Sequence, residues 1–267
     1  MTGRGGGGTA SRYATSLPAR RGRTGRRVAG TAVAALAGAA ALHAAPAVLA
    51  LAAPRRRFAP TLAGTGRADH VALTFDDGPN PTSTPKMLQL LADRGVTATF
   101  FLVGANVARH PRLAAEIAAA GHELAVHGLH HKLLLRYSPR RVADHLARAH
   151  ELVATAAGTP PRFFRPPYGV LSSAAWAAAH RLGMRTVLWT TWGRDWTAQA
   201  TGSAVYRTVA RDLRGGGTIL LHDTASDTAA PESWRATLAA VPTILDLCQD
   251  AGWKVGPLHD HGLPDPR

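Results

Sequence analysis

From about Ala68 the chain alternates short apolar runs with longer amphipathic ones. His70–Phe75, Thr97–Val103, Glu123–His127, Arg162–Arg165, Arg185–Trp189 and Thr218–Leu221 read as strands, and Trp253–Val255 is a candidate seventh. Several of these runs are apolar throughout rather than alternating, as in parallel strands buried on both faces. The segments between them carry helix punctuation. Thr84-Pro85 opens one that Gly95 stops, and Pro111–Ala120 ends at Gly121. Ser138-Pro139 opens a long one ending near Gly158, and Ser172 or Ser173 caps one ending at Gly183. Ser203–Leu213 runs into a Gly triplet, and a helix near Glu232–Asp250 closes with Gly252. Hydroxyl caps, Pro at the first turn and Gly at the last are the usual signals. Six or seven βα units predict a parallel α/β barrel one unit short of the eight-stranded kind; an open doubly wound sheet is the alternative.

Upstream the pattern changes. Residues 1–27 are Gly- and Arg-rich, the composition of a disordered tail. Residues 28–53 form an apolar segment whose only titratable side chain is His43. It is long enough to span a bilayer, and its position after an Arg cluster also fits a secretory signal, with Ala50-Leu51-Ala52 as a small-x-small cleavage sequence. The Arg asymmetry predicts export, with the domain outside the cytoplasm, either membrane-anchored or secreted. The expected organisation is then a linker at 54–67, a domain at 68–256 and a C-terminal tail at 257–267.

Charge sharpens this division. The 267-residue chain carries a formal +14, but ten of its 31 basic residues precede Phe58, where there is no Asp or Glu. The remaining 21 basic and 17 acidic residues leave a domain near +4. That balance excludes a nucleic-acid partner as the reading of the total charge. The single cysteine, Cys248, lies in an apolar run and predicts a buried thiol, with neither an intrachain disulfide nor a cysteine metal site.

The candidate chemistry collects just after the strands. Asp76 and Asp77 follow the first, His127, His130 and His131 the third, Arg165 the fourth, Asp195 the fifth, and His222 and Asp223 end the sixth. In a parallel barrel all these ends open on one face, which holds the active site. Two adjacent buried carboxylates repel unless a cation sits beside them, so a divalent metal fits: one Asp as ligand, the other as base on a water. His127-x-x-x-His131 places two imidazoles on one side of a helical turn, and with Asp77 makes a two-His, one-carboxylate site. His130 is the spare histidine. His110, His122, His145, His150 and His180 read as structural or surface residues.

Thr74-Phe75-Asp76-Asp77-Gly78-Pro79, His127-x-x-x-His131, Arg165-Pro166-Pro167-Tyr168-Gly169, Asp195-Trp196 and Leu220-Leu221-His222 stand in the order of five motifs. In this the chain resembles the NodB-homology polysaccharide deacetylases, carbohydrate esterase family 4, from about Ala68 to Gly256. The resemblance implies a distorted (β/α) barrel, taken here as seven-stranded, and metal-dependent removal of acetyl groups from an N-acetylated polysaccharide such as peptidoglycan, a chitin-like polymer or an exopolysaccharide. It implies Asp76 as general base, Asp77, His127 and His131 as ligands of one divalent metal, and Arg165 as the partner that orients Asp76. It further implies Tyr168 as a backbone donor to the oxyanion, His222 as general acid, Asp195 as the residue that tunes it, and Leu220 as lining for the acetyl methyl. Trp196, with Trp192 and Tyr168, is a candidate wall for a sugar face. Zinc suits the donors first, and cobalt or manganese also suit them. Two positions depart from the family pattern: Gly128 stands where Ser or Thr is usual, and Trp192 where a further Asp is common.

Rival readings are an O-acetyl esterase using the same site and a catalytically silent carbohydrate-binding relative. The intact set Asp76, Asp77, His127, His131, Arg165 and His222 argues against silence. The chain is expected to be a monomer, and to meet a membrane through its N-terminal segment if that is not cleaved.

Overall fold

A computed structural model describes Thr2 and residues 22–264. The tail expected over residues 1–27 lies largely outside the described residues. Helix α1 (Gly22–Ala44) continues into a 3-10 turn, Ala45–Ala50, with Pro46 near its start. Within this stretch Val33–Ala50 is long and apolar enough to cross a membrane, with a mean hydropathy of 1.8 and none of it buried.

From Leu42 onward the chain forms a second compact unit. Its strands are β1 (His70–Asp76), β2 (Thr99–Leu102), β3 (Glu123–Val126), β4 (Phe163–Phe164), β5 (Arg185–Thr186), β6 (Thr191–Trp192), β7 (Thr218–His222) and β8 (Lys254–Gly256). All the pairings are parallel. Seven strands follow one path, β5-β4-β3-β2-β1-β7-β6, and β8 joins β1 alone. At Ala72 one edge of β1 meets Thr218 of β7 and the other meets Gly256, so β8 lies on the β2 side, below β2. Helices α2 (Ala52–Phe58), α3 (Thr84–Asp93), α4 (Gly104–Arg109), α5 (Pro111–Ala119), α6 (Pro139–Ala157), α7 (Ser173–Arg181), α8 (Gly202–Asp212) and α9 (Trp234–Asp250) complete the unit.

The sheet curls. Ala72, Phe101, Ala125, Phe163, Val187 and Leu258, from successive strands and the tail, form a cluster of their own on the inner face. Arg165, just after β4, reaches Asp76 on β1 at 2.6 Å. Three strand spacings on a flat sheet would separate them by about 14 Å. The outer face packs against the helices in a larger cluster. The parallel barrel expected from the apolar strands is therefore present, and the open doubly wound alternative is not.

Several local expectations change. Ser83, not Thr84, occupies the N-cap of α3, because the Thr84 hydroxyl is engaged with Asn80 N–H and the Asp223 carboxylate. Ser138, Ser172 and Thr201 cap α6, α7 and α8 by accepting backbone N–H bonds. Helix α4 and strand β6 were not anticipated; each is too short to show a period. The segment expected as a linker is folded, with Arg55, Leu62 and Ala63 buried. The expected tail is also part of the core: Leu258 and His261 are fully buried, and His261 meets His70 at 2.9 Å.

Candidate active site

Asp76, Asp77, His127, Arg165 and His222 lie at or just beyond a strand's C-terminal end, and Asp195 follows β6 rather than β5. Asp76 closes β1 and pairs in register with His222, the last residue of β7. The chain then turns sharply: Asp77 takes φ 81°, and its backbone is held by its own N–H to Phe101 O and by Asn106 Nδ2 donating to its carbonyl at 2.7 Å. Both carboxylates are 2% exposed.

Arg165 is fully buried, its guanidinium 3.9 Å from the Phe101 ring. It donates to Asp76 Oδ1 at 2.6 Å, Thr74 Oγ1 at 2.8 Å, Val187 O at 3.2 Å and Leu188 O at 2.7 Å. This fork fixes Asp76 from one side and neutralises a charge that burial would otherwise make very costly. Burial nonetheless outweighs the arginine, and the Asp76 pKa lies above the ordinary carboxylate value. A raised pKa makes it a stronger base than a free aspartate.

His127 donates from Nδ1 to Arg165 O at 2.8 Å, which leaves Nε2 without its proton and aimed at the carboxylates. That nitrogen is 3.5 Å from Asp77 Oδ1, and His131 Nε2 is also 3.5 Å from the same oxygen. The donor atoms of Asp77, His127 and His131 all lie within 4.8 Å of one another. Asp77 Oδ1 is buried with no hydrogen-bond partner among the described residues. Burial holds both imidazoles neutral, with pKa values lowered to about 3, and with Asp76 and Asp223 nearby it pushes Asp77 up to about 7. Two neutral imidazoles facing an orphaned, like-charge-crowded carboxylate are a donor set fitted to a divalent cation.

The two histidines do not share a helical turn, as their spacing had suggested. Residues 127–131 form a bent loop, and Gly128 has φ 85°. A Cβ at Gly128 would lie 3.1 Å from His145 Nε2. That nitrogen accepts the Leu129 N–H at 2.9 Å, so His145 on α6 supports the ligand loop across the space a side chain at 128 would use. His130 is exposed and not among the converging donors.

On the opposite wall His222 donates from Nδ1 to Asp195 Oδ1 at 2.9 Å, and its backbone N–H donates to Asp195 Oδ2 at 2.7 Å. Thr237 on α9 donates to Asp195 Oδ2 at 2.6 Å. Burial alone would lower the His222 pKa, but Asp195, with Asp77 and Asp76, carries it up to about 10. His222 Nε2 faces the site, 4.0 Å from Asp77 Oδ2. Asp195 stays below the ordinary range: burial would raise it, and His222 and Thr237 more than compensate.

Asp76, Asp77, His127, His131 and His222 line one pocket of about 200 Å³ with Tyr168, Gly169, Trp189, Trp192, Trp196, Leu220, Ser226 and Thr228. Tyr168 takes φ 61° and is 46% exposed at the mouth, its ring 4.4 Å from that of His131. Leu220 and Trp189 are buried, and Trp189 stacks on Trp192 at 5.7 Å. Trp192 in turn meets Trp196, whose ring lies edge-on to His222 at 5.6 Å. Thr237, His145, Trp189, Ser226 and Thr228 were not foreseen; only Trp189, in a run of tryptophans, carried a sequence signal.

A sequence model of the family described as polysaccharide deacetylase matches residues 63–187. The chain is 34% identical over 197 residues to a chitooligosaccharide deacetylase of Bradyrhizobium, covering 70% of this chain and 88% of the relative. It is 33% identical over 187 residues to a peptidoglycan-N-acetylglucosamine deacetylase of Bacillus cereus, covering 69% and 84%. The solved structure of a family 4 carbohydrate esterase from Streptomyces lividans in complex with acetate superposes with a TM-score of 0.64 at 30% identity, covering 74% of this chain and 98% of that one. With the barrel, the five motifs and the Asp-His-His cluster in place, the chain belongs to the polysaccharide deacetylase family, carbohydrate esterase family 4.

Proposed function

We propose that the chain hydrolyses N-linked acetyl groups on a polysaccharide outside the cytoplasm, and that Asp77, His127 and His131 hold the divalent cation it needs, with zinc first among the candidates. The observation that carries this reading is one pocket lined by the Asp-His-His cluster, Asp76 and His222, with Arg165 bonded behind Asp76 and Asp195 behind His222.

A bound divalent cation supplies a polarised water and positive charge for a developing oxyanion. The protein's own groups supply the rest. Asp76, held by Arg165 and made more basic by burial, takes a proton from the attacking water. The backbone N–H of Tyr168, on a strained turn at the pocket mouth, donates to the oxyanion. His222 gives a proton from Nε2 to the departing amine, since Nδ1 is committed to Asp195. Leu220 and Trp189 enclose the acetyl methyl, and Trp196 faces the sugar. An amine leaving group needs that proton more than an alkoxide does, so the protonated His222 favours the amide over the ester reading.

The assay is acetate release by the full chain in detergent from a panel of N-acetylated and O-acetylated glycans. Release confined to the N-acetylated members is expected; release from O-acetyl esters alone would replace this reading with the esterase one. Export rests on Val33–Ala50 and the preceding arginines. A reporter fused at the C-terminus should be active only outside the membrane, and a cytoplasmic signal would contradict it.

A further inference from the structure

Arg55 has a guanidinium that no part of the proposed reaction uses. It lies on α2, five residues beyond the apolar run that ends at Ala50, yet it is 1% exposed. One end donates to the carbonyls of Leu49 at 3.1 Å and Ala50 at 3.0 Å, the last two residues of that run. The other end donates to Trp189 O at 3.0 Å. Its carbon also sits 4.9 Å from the centre of the Trp189 ring. Among the described residues the buried charge has no carboxylate partner, and burial followed by repulsion from Arg165 lowers its pKa to about 10. An unpaired buried cation is costly, so its neighbours must gain from it.

Trp189 is that neighbour, and it is a wall of the pocket. No regular strand holds it: β5 ends at Thr186 and β6 begins at Thr191. Within Val187–Thr190 the carbonyls of Val187 and Leu188 are taken by Arg165, and that of Trp189 by Arg55. The indole presses on Gly169, where a Cβ would lie 2.5 Å from its edge, and stacks on Trp192 at an interplanar angle of 23°. Across this gap between β5 and β6 the N–H groups of Val187, Leu188 and Thr190 go to Phe164, Leu62 and Thr218, and two arginines take the carbonyls.

We propose that Arg55 is a positioning residue for Trp189, so that the segment leaving the apolar run forms part of the scaffold of the acyl pocket. Resting on the N-deacetylase reading, this assigns Arg55 a role in acyl-group selectivity: with the wall fixed, the pocket takes acetyl and rejects a longer acyl chain.

The test uses the full chain in detergent, as wild type, Arg55→Met, Arg55→Lys, Trp189→Ala and the Arg55→Met/Trp189→Ala pair. Acetyl and propionyl forms of the same chito-oligosaccharide are compared, and the near-ultraviolet circular dichroism of the stacked indoles is recorded. Arg55→Met should lower the acetyl-to-propionyl ratio of kcat/KM by about five- to tenfold and weaken the indole signal. Arg55→Lys, which keeps the charge on a shorter reach, should fall between. In the Trp189→Ala background, Arg55→Met should change the ratio by less than about twofold, because coupled residues do not add. An unchanged ratio in an active Arg55→Met or Arg55→Lys protein, or full additivity with Trp189→Ala, overturns the proposal. A wild-type indole signal in both Arg55 variants overturns it without reference to turnover. Failure of the wild type to release either acyl group would instead count against the deacetylase reading, and the indole signal would still decide the role of Arg55.

Discussion

Replacing Asp195 by Asn removes the charge behind the proposed acid and leaves its shape nearly intact. The carboxylate accepts three bonds, from His222 Nδ1, His222 N–H and Thr237 Oγ1, at 2.9, 2.7 and 2.6 Å. At an effective dielectric of about 20, opposite unit charges about 4 Å apart attract by about 4 kcal/mol, equivalent to roughly three pH units of basicity. The amide oxygen still accepts one bond, so a fall of about two pH units in the His222 pKa is expected. An acid works while protonated, so activity is present below its pKa and lost above it. Lowering that pKa moves the alkaline limb of the rate profile down by about two pH units. At a pH where the wild type keeps about nine-tenths of its plateau activity, the variant should keep about a tenth. The assay is acetate release against pH with metal saturating. An alkaline limb that stays in place in Asp195→Asn would refute the assignment of His222 as the acid tuned by Asp195.

Asp76→Asn should keep the metal and lower kcat by about 10²–10⁴, the span of a positioned proton-transfer group, as measured by acetate release and metal content. His145→Ala leaves the Leu129 N–H without its acceptor, and should cost about 1–3 kcal/mol in denaturant unfolding while weakening metal binding. Acid should destabilise the fold below about pH 6.5. Burial holds His122, His145 and His261 neutral with pKa values near 4, so the unfolded chain binds more protons as pH falls from 6.5 towards 4. Each costs about 2 kcal/mol by pH 5. Asp76, Asp77 and Asp223, raised by burial, work in the opposite sense, but His127 and His131, lowered to about 3, add to the histidine side, and the five histidines outweigh the three carboxyls. Urea midpoints at pH 7 and pH 5 check this, and a higher midpoint at pH 5 would contradict it.

The strands and the chemistry at their ends were legible because both are local. An apolar run ending in Asp-Asp-Gly-Pro or Leu-Leu-His announces itself within a few residues. What escaped notice depends on contacts made across long stretches of chain. Thr237 meets Asp195 across 42 positions, and Arg55 meets Trp189 across 134. Strand β6 is two residues long and exists because Thr191 and Trp192 find β7. His127 and His131 converge without sharing a helical turn, because Gly128 bends the loop between them. The boundaries at 54–67 and 257–267 were drawn from composition, and composition does not reveal one buried Arg or His in a polar segment.

The central claim is that Asp77, His127 and His131 hold one divalent cation beside Asp76 and His222. The most direct measurement is metal stoichiometry, by elemental analysis after equilibrium dialysis, of the full chain in detergent and of its His127→Ala/His131→Ala variant. One equivalent in the wild type and well under a tenth of that in the variant is the predicted result. A full equivalent surviving in a folded variant would place the metal elsewhere and contradict the account.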